Sequence, residues 1–311
     1  MVQFSEVVRF GMSPTMLFPE GFDDDIALLD AYSRCTPLYE FEAMESFLPF
    51  DEGLKGQILK MLRDTHKVLN YNTPGYFQVD GPFNTCSDDK DVREGAYQAM
   101  RKHLFNAAEA ESPIIVVTGC HDAGEEKRPE LMKRYGEFFL RLCEEAKQFP
   151  IRVLLEPIER HRFKELILGP TAECADFIRD MRAKGAENSG LMMDIAHLPL
   201  MCETVEEGIA GSGEIGFEHV HMGDAVLEEG NVFYGHTHPP LEVRGALFAQ
   251  KDFEDQFEQM IRCGFIGRGK ERASISLEVK PYPGVNPETS IRAMYEKCVS
   301  AFNAAAERAG L

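Results

Sequence analysis

Pro113-Ile-Ile-Val-Val-Thr-Gly-Cys-His-Asp122 is the stretch on which the fold turns. Four successive apolar residues, Ile114 to Val117, leave no polar face, so both sides of this strand must be covered. A sheet open to water on one side would alternate instead. The run ends in a polar tip, His121-Asp122, which places hydrogen-bonding side chains at the strand's C-terminal end. Helical spacing flanks it, over residues 89–110 before it and 129–149 after it. A doubly buried strand between two helices is the repeating unit of a parallel α/β sheet.

The same unit recurs outward in both directions. Toward the N-terminus, strands are predicted at 7–13, 39–45 and 67–73, with helices at 23–35 and 52–66. The acidic run Asp23-Asp-Asp25 reads as a helix N-terminus, where the dipole favours negative charge. Toward the C-terminus, strands are predicted at 151–158, 190–197, 217–224 and 274–280, with helices at 171–186, 204–209, 252–263 and 287–310. Eight strands, each followed by a helix, with no Gly/Ser-rich linker, predict a single α/β domain over 1–311, a (β/α)8 TIM barrel. A long loop insertion at 227–247 breaks the rhythm. A doubly wound sheet would carry a Gly-rich phosphate loop after its first strand, and Gly11-Met-Ser-Pro-Thr15 does not resemble one.

Composition excludes several classes. The formal net charge of −19 opposes binding to nucleic acid phosphates and to anionic membrane surfaces. No apolar run reaches the roughly 20 residues of a membrane span, and Met1-Val-Gln-Phe-Ser5 lacks the pattern of a signal peptide. Eight cysteines without CxxC spacing fit free thiols in a reducing cytoplasm, so a cytoplasmic location is expected.

Chemistry in such a barrel sits at the C-terminal ends of the strands. Phe217-Glu-His-Val-His-Met-Gly-Asp224 alternates, with His219 and His221 on one face and Val220 and Met222 on the other. A lone buried histidine is commonly a satisfied core residue. Here the neighbouring strands change that reading: Glu156 follows Val153-Leu-Leu, Asp194 follows Leu191-Met-Met, and Glu278 follows Ile275-Ser-Leu. Strands five to eight thus deliver Glu, Asp, His and Glu. Three carboxylates gathered beside apolar strands repel one another and resist desolvation. A bound divalent cation removes both problems. An oxygen-rich donor set suits Mn²⁺, Mg²⁺ or Co²⁺, with Mn²⁺ preferred, and leaves coordination positions for substrate oxygens.

These motifs resemble the xylose isomerase-like superfamily of metal-dependent TIM barrels, which includes keto-sugar 3-epimerases. The resemblance is carried by Leu155-Glu156-Pro157, Met193-Asp194-Ile-Ala-His197, His219-Val-His221-Met-Gly-Asp224 and Leu277-Glu278-Val-Lys280. It implies that Glu156, Asp194, His221 and Glu278 ligate the metal, that Glu156 and Glu278 move protons, and that His197 touches substrate. The expected function is a sugar isomerase or epimerase acting next to a carbonyl. There are departures. Arg162 stands where the keto-sugar epimerases have a substrate-binding Glu, Gly223-Asp-Ala-Val-Leu227 replaces Gly-Glu-Cys-Asn-Arg, and Tyr234-Gly-His-Thr-His-Pro-Pro240 is atypical. They point to a substrate other than a plain ketohexose. Larger subunits of C-glycoside deglycosidases, which eliminate an aglycone from a 3-oxo-glycoside and pair with a small subunit, are similar and give the alternative reading. An endonuclease IV-like nuclease uses the same barrel, but its basic DNA face conflicts with the charge.

Other residues near the predicted strand ends complete the expectation. His121 and His161 are candidate acids or bases. Lys280, Arg160, His236 and His238 are candidate substrate contacts, the last two on a loop able to act as a lid, while Lys280 is read as a partner of Glu278. His66 and His103 read as surface residues on helices. A small sugar or glycoside is the expected ligand, with a homo-oligomer or a hetero-oligomer containing a small partner subunit as the assembly.

Overall fold

A computed structural model describes residues 2–311. Eight parallel strands close into a barrel in sequence order: β1 Val8–Met12, β2 Ala43–Ser46, β3 Val68–Asn72, β4 Ile114–Thr118, β5 Arg152–Glu156, β6 Ser189–Asp194, β7 His219–Met222 and β8 Ala273–Leu277. Helices Asp25–Cys35, Glu52–Asp64, Lys90–Glu109, Arg128–Ala146, Thr171–Ala183, Val205–Ser212, Gln250–Arg262 and Pro287–Ala309 surround it. The expected (β/α)8 barrel is the fold observed. Among the described residues, no helix is long and apolar enough to cross a membrane.

The strand alternation sorts side chains into two compartments. Val153, Leu155, Leu191, Met193, Val220, Met222, Ile275 and Leu277 face outward and join the main core beneath the helices. Ile114, Val116, Leu154 and Met192 form a separate small cluster. Their parity along β4, β5 and β6 places it inside the barrel. Across the interior from this apolar half stands a polar half, with Glu45, Asn70, His219 and Ser276 all buried. The lumen is narrow there. A Cβ on Gly11 would lie 2.5 Å from Ser276 Oγ and 3.1 Å from Ala43 Cβ, so only glycine fits at that point of β1.

Several boundaries differ from expectation, for local reasons. The strand predicted over 39–45 occupies Ala43–Ser46. Glu40 and Glu42 precede it, and their carboxylates serve Arg292 and Arg272. Strand β6 stops at Asp194 because its Oδ1 accepts the Ala196 N–H at 2.6 Å, turning the chain. The helix predicted through His66 ends at Asp64, and His66 takes a left-handed φ of 54°. The acidic run does start a helix: Asp24 caps it by accepting from the Ile26 and Ala27 N–H groups.

The reading of His103 as a surface residue is corrected. It lies on the inward face of helix Lys90–Glu109 and is 1% exposed. Its Nδ1 contacts the Tyr71 hydroxyl at 2.8 Å and its Nε2 the Tyr76 hydroxyl at 2.5 Å. Burial pushes its pKa down to about 3. All eight cysteines are free, and only Cys202 and Cys263 are exposed.

Candidate active site

The C-terminal mouth of the barrel opens into a cavity of about 350 Å³, lined among others by Glu45, Glu156, His197, His236, His238 and Glu278. That size is in the range of small-molecule sites. Glu156 ends β5, Asp194 ends β6, His221 sits within β7 and Glu278 follows β8 by one residue. Register brings them level, since Asp194 pairs with His221 and His221 with Ser276. One donor atom from each of Glu156, Asp194, His221 and Glu278 lies within 4.8 Å of all the others.

The orientation of His221 is set from within the barrel. Its Nε2–H donates to Glu45 Oε1 at 2.6 Å, while the His219 Nε2–H donates to Glu45 Oε2 at 2.8 Å. His219 Nδ1 in turn accepts from the Ser274 hydroxyl at 2.9 Å. A carboxylate only accepts, so both Nε2 atoms carry hydrogen and the His221 Nδ1 lone pair is left facing the cluster. That Nδ1 is 2.5 Å from Glu278 Oε2, 3.4 Å from Asp194 Oδ2 and 3.7 Å from Glu156 Oε1. It makes no aligned hydrogen bond, and neither does Asp194 Oδ2. Two buried polar atoms without partners, aimed into one space among three carboxylates, are what a divalent cation would satisfy. The four residues therefore fit such an ion.

Electrostatics agree. Burial and the nearby Glu278 charge push the Glu156 carboxyl well above its ordinary range. Burial opposes ionisation of Asp194 as well, but His197 and His221 hold its pKa low. Glu45 is likewise held low, against burial, by His219 and His221. His221 is pushed well up, against burial, by Glu45 and Glu278. Without a cation, a proton is drawn to the centre of the cluster; a metal ion would displace it.

The remaining predicted residues divide. His197, His236, His238 and Lys280 all line the cavity. Lys280 does not pair with Glu278, whose carboxylate contacts His221 and His238 instead. His121, Arg160 and His161 are not brought to the cavity. His121 sits 3.7 Å from Glu165 on an outer loop. Arg160 turns away to donate to the Ile167 carbonyl at 2.7 Å and to pair with Glu173. His161 is exposed. The loop after Pro157 keeps Ile158 and Lys164 on the cavity wall and turns Arg160 and His161 away from it.

Two residues were missed. Glu45 ends the strand predicted over 39–45 and carries no local mark, although a buried His219 demands a partner across the lumen. Glu159 is 1% exposed and holds His236 Nδ1 at 3.2 Å; nothing in its local sequence marks it. The 227–247 insertion is pinned by Asp224, whose carboxylate accepts from the N–H groups of Ala225, Glu242, Leu247 and Phe248 at 2.9 to 3.2 Å.

Comparison with known proteins agrees with the barrel fold. The family model described as "Xylose isomerase-like TIM barrel" matches residues 39–308. No curated protein matches in sequence. Among solved structures, L-ribulose 3-epimerase superposes with a TM-score of 0.70 at 15% identity, covering 97% of each chain. D-psicose 3-epimerase from Clostridium cellulolyticum H10 gives 0.67 at 14% identity, covering 97% of this chain and 99% of that one. A 3-keto-D-glucoside 4-epimerase from E. coli gives 0.64 at 14% identity, covering 95% and 99%.

Proposed function

Because the chain belongs to the xylose isomerase-like TIM barrel family, we propose that it is a divalent-metal-dependent sugar isomerase or epimerase that removes a proton next to a sugar carbonyl. One observation carries this reading: of the four clustered residues, Glu156 and Glu278 line the cavity, whereas Asp194 and His221 lie behind them, 2% and 0% exposed. The two glutamates meet the substrate, and the other two hold the centre in place. The cation, Mn²⁺ by preference for this oxygen-rich set, supplies when bound the charge that makes a carbon acid ionisable near neutral pH.

The chain's own groups do the rest. Glu156 and Glu278 reach the sugar from different strands, so one takes the proton and the other returns it. His197, held by the Pro157 carbonyl at 3.3 Å, and Lys280 bind the sugar's remaining oxygens. Apolar Met16, Phe22 and Phe47 form another part of the wall. That wall favours a second reading, a substrate bearing an apolar substituent such as a 3-oxo-glycoside, from which the same deprotonation would expel an aglycone.

Solvent deuterium separates these outcomes. The chelator-stripped, Mn²⁺-reloaded enzyme should exchange the α-hydrogen of a ketose or 3-oxo-glycoside. Glu156→Gln and Glu278→Gln should each abolish product, and one of them should still exchange. Exchange and product formation that persist in both variants would reject the two-glutamate mechanism. Aglycone release would identify the elimination.

A further inference from the structure

The loop that follows β5 brings a different charge to the cavity. It doubles back on itself: the Ile158 N–H donates to the Leu168 carbonyl at 3.2 Å, and the Leu166 N–H to the Glu159 carbonyl at 3.1 Å. Lys164 lies at the turn, where its own N–H donates to Glu159 Oε1 at 3.1 Å. The residues on either side of it, Phe163 and Glu165, take left-handed φ of 48° and 52°. Each such residue costs about 1–3 kcal/mol and persists only where its surroundings hold it. Here both sides are held. The Phe163 ring packs edge-on against Tyr234, 5.3 Å between centroids, and a Cβ on Gly235 would overlap that ring. The Glu165 carbonyl accepts the Asp122 N–H at 2.7 Å. Lys164, although exposed, is thereby fixed on the cavity wall.

Lys280 reaches the same corner from the end of β8. It stands two residues past Glu278, at most about 7 Å along the chain, and is half-buried on the same wall. Burial above all, and then His238 and the ammonium groups of Lys164 and Lys280, keeps His236 uncharged. Both ammonium groups therefore stand around one ring.

Neither ammonium has a carboxylate within 4.0 Å among the described residues. Scarcity is not the reason, because 52 Asp and Glu face 33 Lys and Arg in this chain. Other cations of these loops do find partners, Arg160 with Glu173 and Lys297 with Glu242. Glu159, on the loop of Lys164 itself, is committed to His236, and Glu278 to His221. The cavity is therefore polarised. Buried carboxylates from Glu45, Glu156 and Glu278 mark one end, and two unpaired lysines mark the other. An anion between the two ammonium groups would offset their repulsion, and lysine binds phosphate and carboxylate as a point charge.

We propose that Lys164 and Lys280 form an anion subsite, and that the substrate is a sugar carrying a carboxylate or a phosphate remote from its reacting carbonyl. This rests on the sugar isomerase reading above and adds the class of sugar. The carbonyl end goes to the carboxylate cluster, and the anionic end goes to the lysines.

Calorimetry on the metal-loaded full chain tests the subsite without turnover. Three probes share one ketose skeleton: D-fructose, D-fructuronate and D-fructose 6-phosphate. At least one anion should bind about 10–100-fold more tightly than D-fructose, and added NaCl should shrink that advantage. The tighter of the two anions tells carboxylate from phosphate. Lys164→Ala should cut the advantage about tenfold, Lys164→Arg should keep it, and Lys164→Glu should abolish it; circular dichroism certifies the fold of each. Equal affinity for all three probes, no binding of either anion, or an advantage that survives Lys164→Ala/Lys280→Ala would overturn the subsite, the last by placing the anion on the metal. Should the double variant not fold, an advantage unchanged in Lys164→Glu overturns it equally. Deuterium exchange with D-fructose but no anion preference would remove the subsite and keep the isomerase reading. Anion preference without exchange on any probe would turn against that reading alone.

Discussion

Two buried histidines, His103 and His221, are equally removed from water and could hardly be more different in their unmet needs. His103 meets a tyrosine hydroxyl at each ring nitrogen. His221 meets Glu45 at Nε2 and makes no hydrogen bond at Nδ1. Both kinds of burial cost desolvation, but only the first is repaid inside the chain. A histidine with one nitrogen fixed and the other empty is a ligand waiting for an ion; a histidine with both filled is a cross-link.

The largest effect expected from breaking the comparison is at the cluster itself. Glu278→Gln should lower turnover by about 10²–10⁴-fold, and His221→Ala should remove the bound metal while circular dichroism stays unchanged. A His221→Ala protein that keeps full occupancy and activity would place the metal elsewhere.

Next comes the group that makes His221 asymmetric. Glu45→Gln leaves the ligands in place but no longer enforces the tautomer. Metal affinity should fall about 10–100-fold, read by competition with a chromogenic chelator. An unchanged affinity would reduce Glu45 to packing.

On the His103 side the readout is stability. His103→Phe removes the ring partner of the Tyr76 hydroxyl and leaves the Tyr71 hydroxyl with only the Leu48 N–H it accepts; it should cost about 1–3 kcal/mol at neutral pH, with metal occupancy unaffected. The pH dependence has a definite sign. The folded pKa, about 3, lies below the ordinary histidine value of about 6.5, so the unfolded chain binds more protons between them. The neutral side chain's contribution is complete above the unfolded value and is lost as pH falls through this window. The gap between wild type and His103→Phe in urea unfolding should therefore shrink as the pH drops from 6.5 toward 3. A gap that widened would mean that His103 is charged in the fold.

The smallest effects belong to histidines that face neither environment. His161→Ala and His121→Ala should change stability by no more than about 0.5 kcal/mol and turnover hardly at all. A large loss of turnover in either would show that its loop folds over the cavity during the reaction.

Much of this was legible in the sequence. Uninterrupted apolar strands such as Ile114–Thr118, in alternation with amphipathic helices, allow few arrangements other than a closed parallel barrel. Carboxylates at the ends of apolar strands are costly, which singled out Glu156, Asp194, His221 and Glu278 in the sequence, and the fold brings these four together. Those signals are local, written in periodicity and in the cost of burying charge beside Val, Leu and Met. What tertiary structure alone decided is which distant groups meet. Glu45 faces His219 and His221 across 174 and 176 residues of chain. His197 meets a pair of histidines from an insertion whose path no periodicity describes. Arg160 and His161, by contrast, sit beside Glu156 in sequence and leave the cavity in space. The reason is geometric: alternation fixes which face a side chain takes, while only closure of the barrel and the anchoring of its loops fix what stands opposite.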